Sequence, residues 1–161
     1  MCMFSPKKSD KHAVHNSYAS FILIPPNYRT DTRELLGSAL CVFNSNQGFI
    51  IENILILDKS NTNNWDDLTD LDAGRLSKRI INIISAQAGE EIELLFSKIV
   101  QMRNRIIHSF RITNTAGEQS LATKEHENKG GKQFEITEDY LMNFISMNEK
   151  LSDMLYKLRG Y

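Results

Sequence analysis

A chain of 161 residues can close one hydrophobic core without disulfide or metal staples, and 41% hydrophobic with 24% charged residues excludes disordered, collagen-like and membrane-embedded classes. Nineteen lysines and arginines against twenty acidic residues leave a net charge of −1, so no global positive field draws the chain to nucleic acid and any polyanion contact must be local. The two cysteines, Cys2 and Cys41, have no framework spacing and indicate a reduced, cytoplasmic setting.

Residues 1–30 read as a polar, extended leader. Its apolar run Phe21-Ile22-Leu23-Ile24 is too short for a signal sequence and is stopped by Pro25-Pro26. No later run approaches a membrane span, so no membrane attachment is expected. His12 and His15 have the spacing of a metal-ligand pair, but in a polar leader they are expected to be solvated, and neither a metal nor a cofactor is assigned.

Residues 31–161 read as a single helical domain. Asp31 with Glu34 forms a plausible cap, and Leu36, Leu40 and Phe43 follow on one face. The run Phe49 to Leu57 suits a buried strand or a helix by pattern alone; one long helix, or two in line, through Asn44-Ser45-Asn46-Gln47-Gly48 is the preferred reading. Lys59 to Asn64 is a loop. Leu68, Leu71, Leu76, Ile80, Ile83 and Ile84 then recur at helical spacing to about Gln87.

After Gly89, the positions Ile92, Leu95, Phe96, Ile99, Met102, Ile106 and Phe110 keep a three-and-four rhythm, so Arg103-Asn104-Arg105-Ile106-Ile107-His108 lies at a helix end. From Ile112 to Glu135 the rhythm stops and Gly117, Gly130 and Gly131 punctuate short alternating pieces with few core residues. Thr137 caps a last helix striped by Leu141, Phe144, Ile145, Leu151, Leu155 and Leu158. The fold class expected is all-α: an antiparallel bundle of four to five helices, with a small β-hairpin or irregular excursion between the last two.

At about 100° per residue, Arg103 and His108 lie roughly 140° apart on a helix, whereas Asn104 and His108 are nearly stacked. One helix therefore cannot pinch a substrate between the guanidinium and the imidazole. Two copies facing each other across a dyad can converge both pairs in one cleft, because a twofold interface sets the same patch opposite itself. The bland reading is that Arg103 is a helix-end charge and His108 a cation near a helix C-terminus.

The run Arg103-Asn104-x-x-x-His108, late in the third main helix of a small bundle, resembles the Arg-x(4–6)-His signature of the HEPN family in its Arg-Asn-x-x-x-His form. The resemblance implies a metal-independent endoribonuclease acting on single-stranded or loop RNA. It implies a homodimer with a composite active site, often a toxin or antiviral component that needs an antitoxin or other regulatory partner. In such chemistry a ribose 2′-hydroxyl attacks its own phosphodiester once a base near neutral pKa takes its proton and a fixed cation steadies the phosphorus oxygens. His108 is the expected base, Arg103 the cation, and Asn104 the residue orienting imidazole or phosphate.

Where HEPN toxins paired with a nucleotidyltransferase antitoxin carry a modifiable tyrosine, two positions after the histidine, this chain has Phe110, so that route of neutralisation is not expected. Arg105 and Arg111 flank the motif as expected phosphate contacts or plain surface charges. His126 is expected in a solvated loop, Glu52 facing solvent or an arginine rather than assisting His108, and Trp65 and Tyr140 as core or interface anchors. The rival expectation is a non-catalytic HEPN-like module that binds RNA, nucleotide or a protein through the excursion from Ile112 to Glu135.

Overall fold

The computed structural model describes residues 32–115, 117, 119–125 and 130–160. The leader, with Cys2, His12, His15 and Phe21-Ile22-Leu23-Ile24, the Asp31 cap and His126 lie outside the described residues. The described part is mostly helical, with one small three-stranded antiparallel sheet.

Helix α1, Thr32–Leu57, runs unbroken through the asparagine-glycine stretch. Leu35, Ala39, Phe43, Ile50 and Ile54 are buried along one stripe, and Asn46 occupies a place in it. The Asn46 Nδ2 donates to the backbone oxygen of Asn148 at 2.7 Å and to its Oδ1 at 3.2 Å, so the polar residue is satisfied inside the protein and the helix has no reason to break. By length and apolarity, Glu34–Leu57 would pass as a membrane span, contrary to the sequence expectation, with a mean hydropathy of 1.3. Its buried stripe, however, faces the protein's own core.

The loop after α1 is organised by Asp58. Its carboxylate accepts the Ser60 hydroxyl, the Asn63 side-chain amide at 2.8 Å, and the backbone amides of Ser60, Thr62 and Asn63, each at 3.0 Å. The Ser60 hydroxyl foremost, then the Asn63 amide, holds this carboxyl far below the usual carboxylate range.

The second helical segment is broken where its apolar spacing predicts continuity. Asn64 caps α2 (Trp65–Thr69) by accepting the Asp67 amide at 2.8 Å, and Asp72 caps α3 (Ala73–Arg79) by accepting that of Arg75, also at 2.8 Å. The Asn64 and Asp72 side-chain caps outcompete a continuous helix through Asp70 and Leu71. The arm continues as a π-helical turn, Ile80–Ser85, and the short α4, Ala86–Ala88. Ile80 and Ile84 are fully buried in the turn.

Helix α5, Glu91–Ile107, buries Ile92, Phe96, Ile99, Met102 and Ile106 on one face. The strands β1 (Phe110–Thr113), β2 (Gln119–Lys124) and β3 (Gln133–Glu135) follow in the order β1-β2-β3. Phe110 pairs with Ala122, and Ala122 with Glu135. Helix α6, Glu138–Leu158, is capped as expected by Thr137, whose hydroxyl accepts the Tyr140 amide at 3.1 Å.

Phe43 gathers the core, stacking on Phe96 at 6.3 Å and tilting against Phe144 at 6.3 Å. Each such buried ring stabilises the fold by roughly 1.5–3 kcal/mol. Along α1 and α6 the partners advance together: Asn46 meets Asn148, Phe49 meets Tyr156, and Asn53 meets Arg159. The first and last helices therefore run parallel, where an up-and-down four-helix bundle would oppose them. The cause lies in the middle arm, which ends beside the end of α1 that it left: the Gln87 amide reaches the Leu57 oxygen at 3.4 Å. The arm makes no net pass, so α5 runs back along α1 and α6 returns.

Candidate functional site

The motif spans the last turn of α5 and its exit into β1. His108 is the C-cap, at φ −99° and ψ 16°, with its backbone amide donating to the Asn104 oxygen at 3.1 Å. The helix stops there because Ser109 turns its hydroxyl onto the Ile106 oxygen at 2.7 Å and Phe110 enters the sheet. The three-and-four rhythm through Phe110 overshoots: that residue is a strand residue, and its ring is 44% exposed. The His108 side chain is exposed, with no hydrogen-bond or ion-pair partner among the described residues.

Arg103 is half-buried on the inner side of α5. Its guanidinium lies over the Phe43 ring at 5.4 Å, Nη1 donates to Asn104 Oδ1 at 3.2 Å, and Nε is buried without a hydrogen-bond partner. Among the described residues no carboxylate pairs with it. A desolvated cation with no counter-ion is costly unless an anion completes it. Asn104 is exposed and its oxygen serves Arg103, so within one protomer it positions the guanidinium and not the imidazole.

Arg105 donates to the backbone oxygen of Lys124, tying the end of β2 to the last turn of α5. Tyr140 lies close enough for this guanidinium to oppose the rise that burial imposes on its hydroxyl pKa. Arg111 is exposed on β1, opposite Leu121. The structure thus joins Arg105, in the helix turn that ends at His108, to the Lys124 end of β2. It sets Arg103 toward the core, as the helical angle requires.

The remaining sequence candidates fall elsewhere. Glu52 pairs with Arg159 at 3.1 Å, at the C-terminal end of α6, which rules out assistance to His108. Tyr140 is half-buried against Phe134, with ring centroids 5.7 Å apart, as an anchor should be. Trp65, expected as a core or interface anchor, is 45% exposed as the first residue of α2 and is therefore not a core residue. Lys124 had no sequence signal: only the strand register brings it to the motif. No protein-family model, curated protein or solved structure matches this chain.

Proposed function

We propose that the chain is a metal-independent endoribonuclease of HEPN type, a helical bundle that cleaves single-stranded or loop RNA as a homodimer. The observation that carries this reading is the presence, at one helix end, of a solvent-exposed imidazole at His108 and of the Arg103 guanidinium, which Phe43 and Asn104 hold and no carboxylate among the described residues pairs with. An unpartnered cation is suited to a phosphate, and an exposed imidazole to proton transfer near neutral pH.

In the reaction, one His108 imidazole takes the proton from a ribose 2′-hydroxyl. The 2′-oxygen attacks phosphorus, and the bond from phosphorus to the 5′-oxygen breaks. The imidazolium of the second protomer protonates the departing oxygen, leaving a 2′,3′-cyclic phosphate and a 5′-hydroxyl. Arg103 steadies the charge on the non-bridging oxygens, and Asn104 keeps its guanidinium in place. Arg105 and Arg111 meet flanking phosphates. Ile107, 40% exposed beside His108, is the apolar contact offered to the second protomer. A toxin–antitoxin or antiviral setting in the cytoplasm, with an inhibitory partner protein, accompanies this reading.

His108→Ala and Arg103→Ala are expected to lower cleavage of a single-stranded RNA by about a thousandfold or more in chelator, with cyclic-phosphate ends in the wild-type products. His108→Ala should change stability by no more than about 0.5 kcal/mol, as befits an exposed side chain. Unchanged cleavage by both variants overturns the proposal. A second reading, a non-catalytic HEPN-like module binding RNA, nucleotide or protein, is favoured by the buried Nε of Arg103 and its stacking on Phe43, which suit a structural residue equally. It predicts binding without cleavage.

A further inference from the structure

The outer face of the sheet carries a combination that the nuclease reading leaves unused. Cross-strand partners share a face, so Phe110 lies with Ala122 and Glu135, while Ile112, Ser120, Lys124 and Gln133 belong to the same face by alternation. The opposite face carries Thr123, buried, and Phe134, which packs on Tyr140. Neither face is uniform: exposed Arg111 shares the Thr123 face, and on the Phe110 face Ala122 is fully buried among exposed neighbours.

On it Phe110 is an exposed aromatic with polar neighbours: Lys124, Gln133 and Glu135 are all exposed, and Glu135 is engaged by the Ser120 hydroxyl. The bond from Arg105 to the Lys124 backbone oxygen ties the end of β2 to the last turn of α5, the turn that ends at His108. Phe110 follows His108 by two residues, as the first residue of the strand that leaves the helix end.

We propose that Phe110 is a stacking platform for an unpaired base beside the phosphodiester addressed by His108, with the Lys124 ammonium on the neighbouring phosphate. A single aromatic among basic and polar side chains suits a base, which offers a π-face whatever its sequence. A protein partner calls for contiguous apolar surface instead, and the other exposed apolar residue of this junction, Ile107, lies on the helix. The nuclease reading supplies the position of the scissile bond; the stacking itself does not depend on cleavage.

The test is fluorescence anisotropy of the full chain with a labelled, fully 2′-O-methylated single-stranded RNA of about twelve nucleotides, which cannot undergo the transesterification. Phe110→Ala should weaken binding about tenfold, while Phe110→Tyr, keeping the ring, should stay within about twofold of wild type. Lys124→Gln should flatten the dependence of binding on salt. Matching circular dichroism melts show that the variants fold.

Equal affinity for wild type and Phe110→Ala overturns the platform, as does a shift of Phe110→Ala from dimer to monomer with RNA affinity per protomer unchanged, which gives the face to a second copy. Absence of any RNA binding overturns both proposals. Ring-dependent binding without cleavage upholds the platform and removes the nuclease. Cleavage that needs His108, with KM and binding indifferent to Phe110, removes the platform alone.

Discussion

The contact between α1 and α6 and the junction of α5 with β1 use polar side chains in opposite ways. In the first, Asn46 meets Asn148, the Asn148 amide returns to the Phe144 oxygen at 2.8 Å, and Asn53 donates to the Phe49 oxygen at 2.7 Å. Arg159 then closes the end, with Nε on Asn53 Oδ1 at 3.0 Å, Nη2 on Glu52 at 3.1 Å, and its guanidinium over Phe49 at 4.4 Å. In the second, no carboxylate among the described residues pairs with the Arg103 guanidinium, and the His108 imidazole faces solvent. Both Arg159 and Arg103 lie on aromatic rings, but Arg159 is paired with the Glu52 carboxylate, whereas no carboxylate among the described residues pairs with Arg103. A neutralised arginine holds helices together; an un-neutralised one is available to an anion.

The comparison can be broken at its buried end first. Asn46→Ala removes both hydrogen bonds to Asn148 and leaves a small cavity between helices, so urea unfolding should show a loss of about 2–3 kcal/mol. A loss of only a few tenths would mean that the buried asparagines do not lock the parallel pair. Arg159→Ala gives up a charge-assisted pair and a cation–π contact at a partly exposed end, and should cost about 1–1.5 kcal/mol by the same measurement without touching RNA cleavage. If cleavage falls with it, the two arginines are not separable in role.

The smallest effect is expected at Glu149. Its pKa is raised, first by burial and then by Asp153 four residues on, so the ionised form strains the fold and protonation relieves it. Glu149→Gln should therefore stabilise the protein by about 0.3 kcal/mol at neutral pH, a gain that fades as the pH falls through the wild-type pKa. A gain that persists in acid would assign the effect to packing.

Much of this arrangement is legible in the linear pattern, and the illegible parts have definite causes. The stripe of α6 and its Thr137 cap follow from local spacing and capping, which depend on residues within one or two turns, whereas the spacing that puts the motif late in α5 runs on to Phe110, past the stop at His108. The break between α2 and α3 was signalled by Asp72 but hidden by the leucine spacing that spans it. Asn148 interrupts an apolar stripe without ending it, and nothing local tells that its partner is Asn46, 102 residues away.

From the residues alone came the helical class, the position of the motif, and the necessary divergence of Arg103 and His108 around one helix, because a 3.6-residue period constrains every α-helix in the same way. The tertiary structure decided that α1 and α6 run parallel, that Arg103 lies on Phe43 with no carboxylate paired to it among the described residues, and that the Lys124 backbone oxygen meets Arg105. Each of these depends on contacts between segments far apart in the chain, where packing and strand register, rather than local preference, select among arrangements the sequence pattern leaves equal.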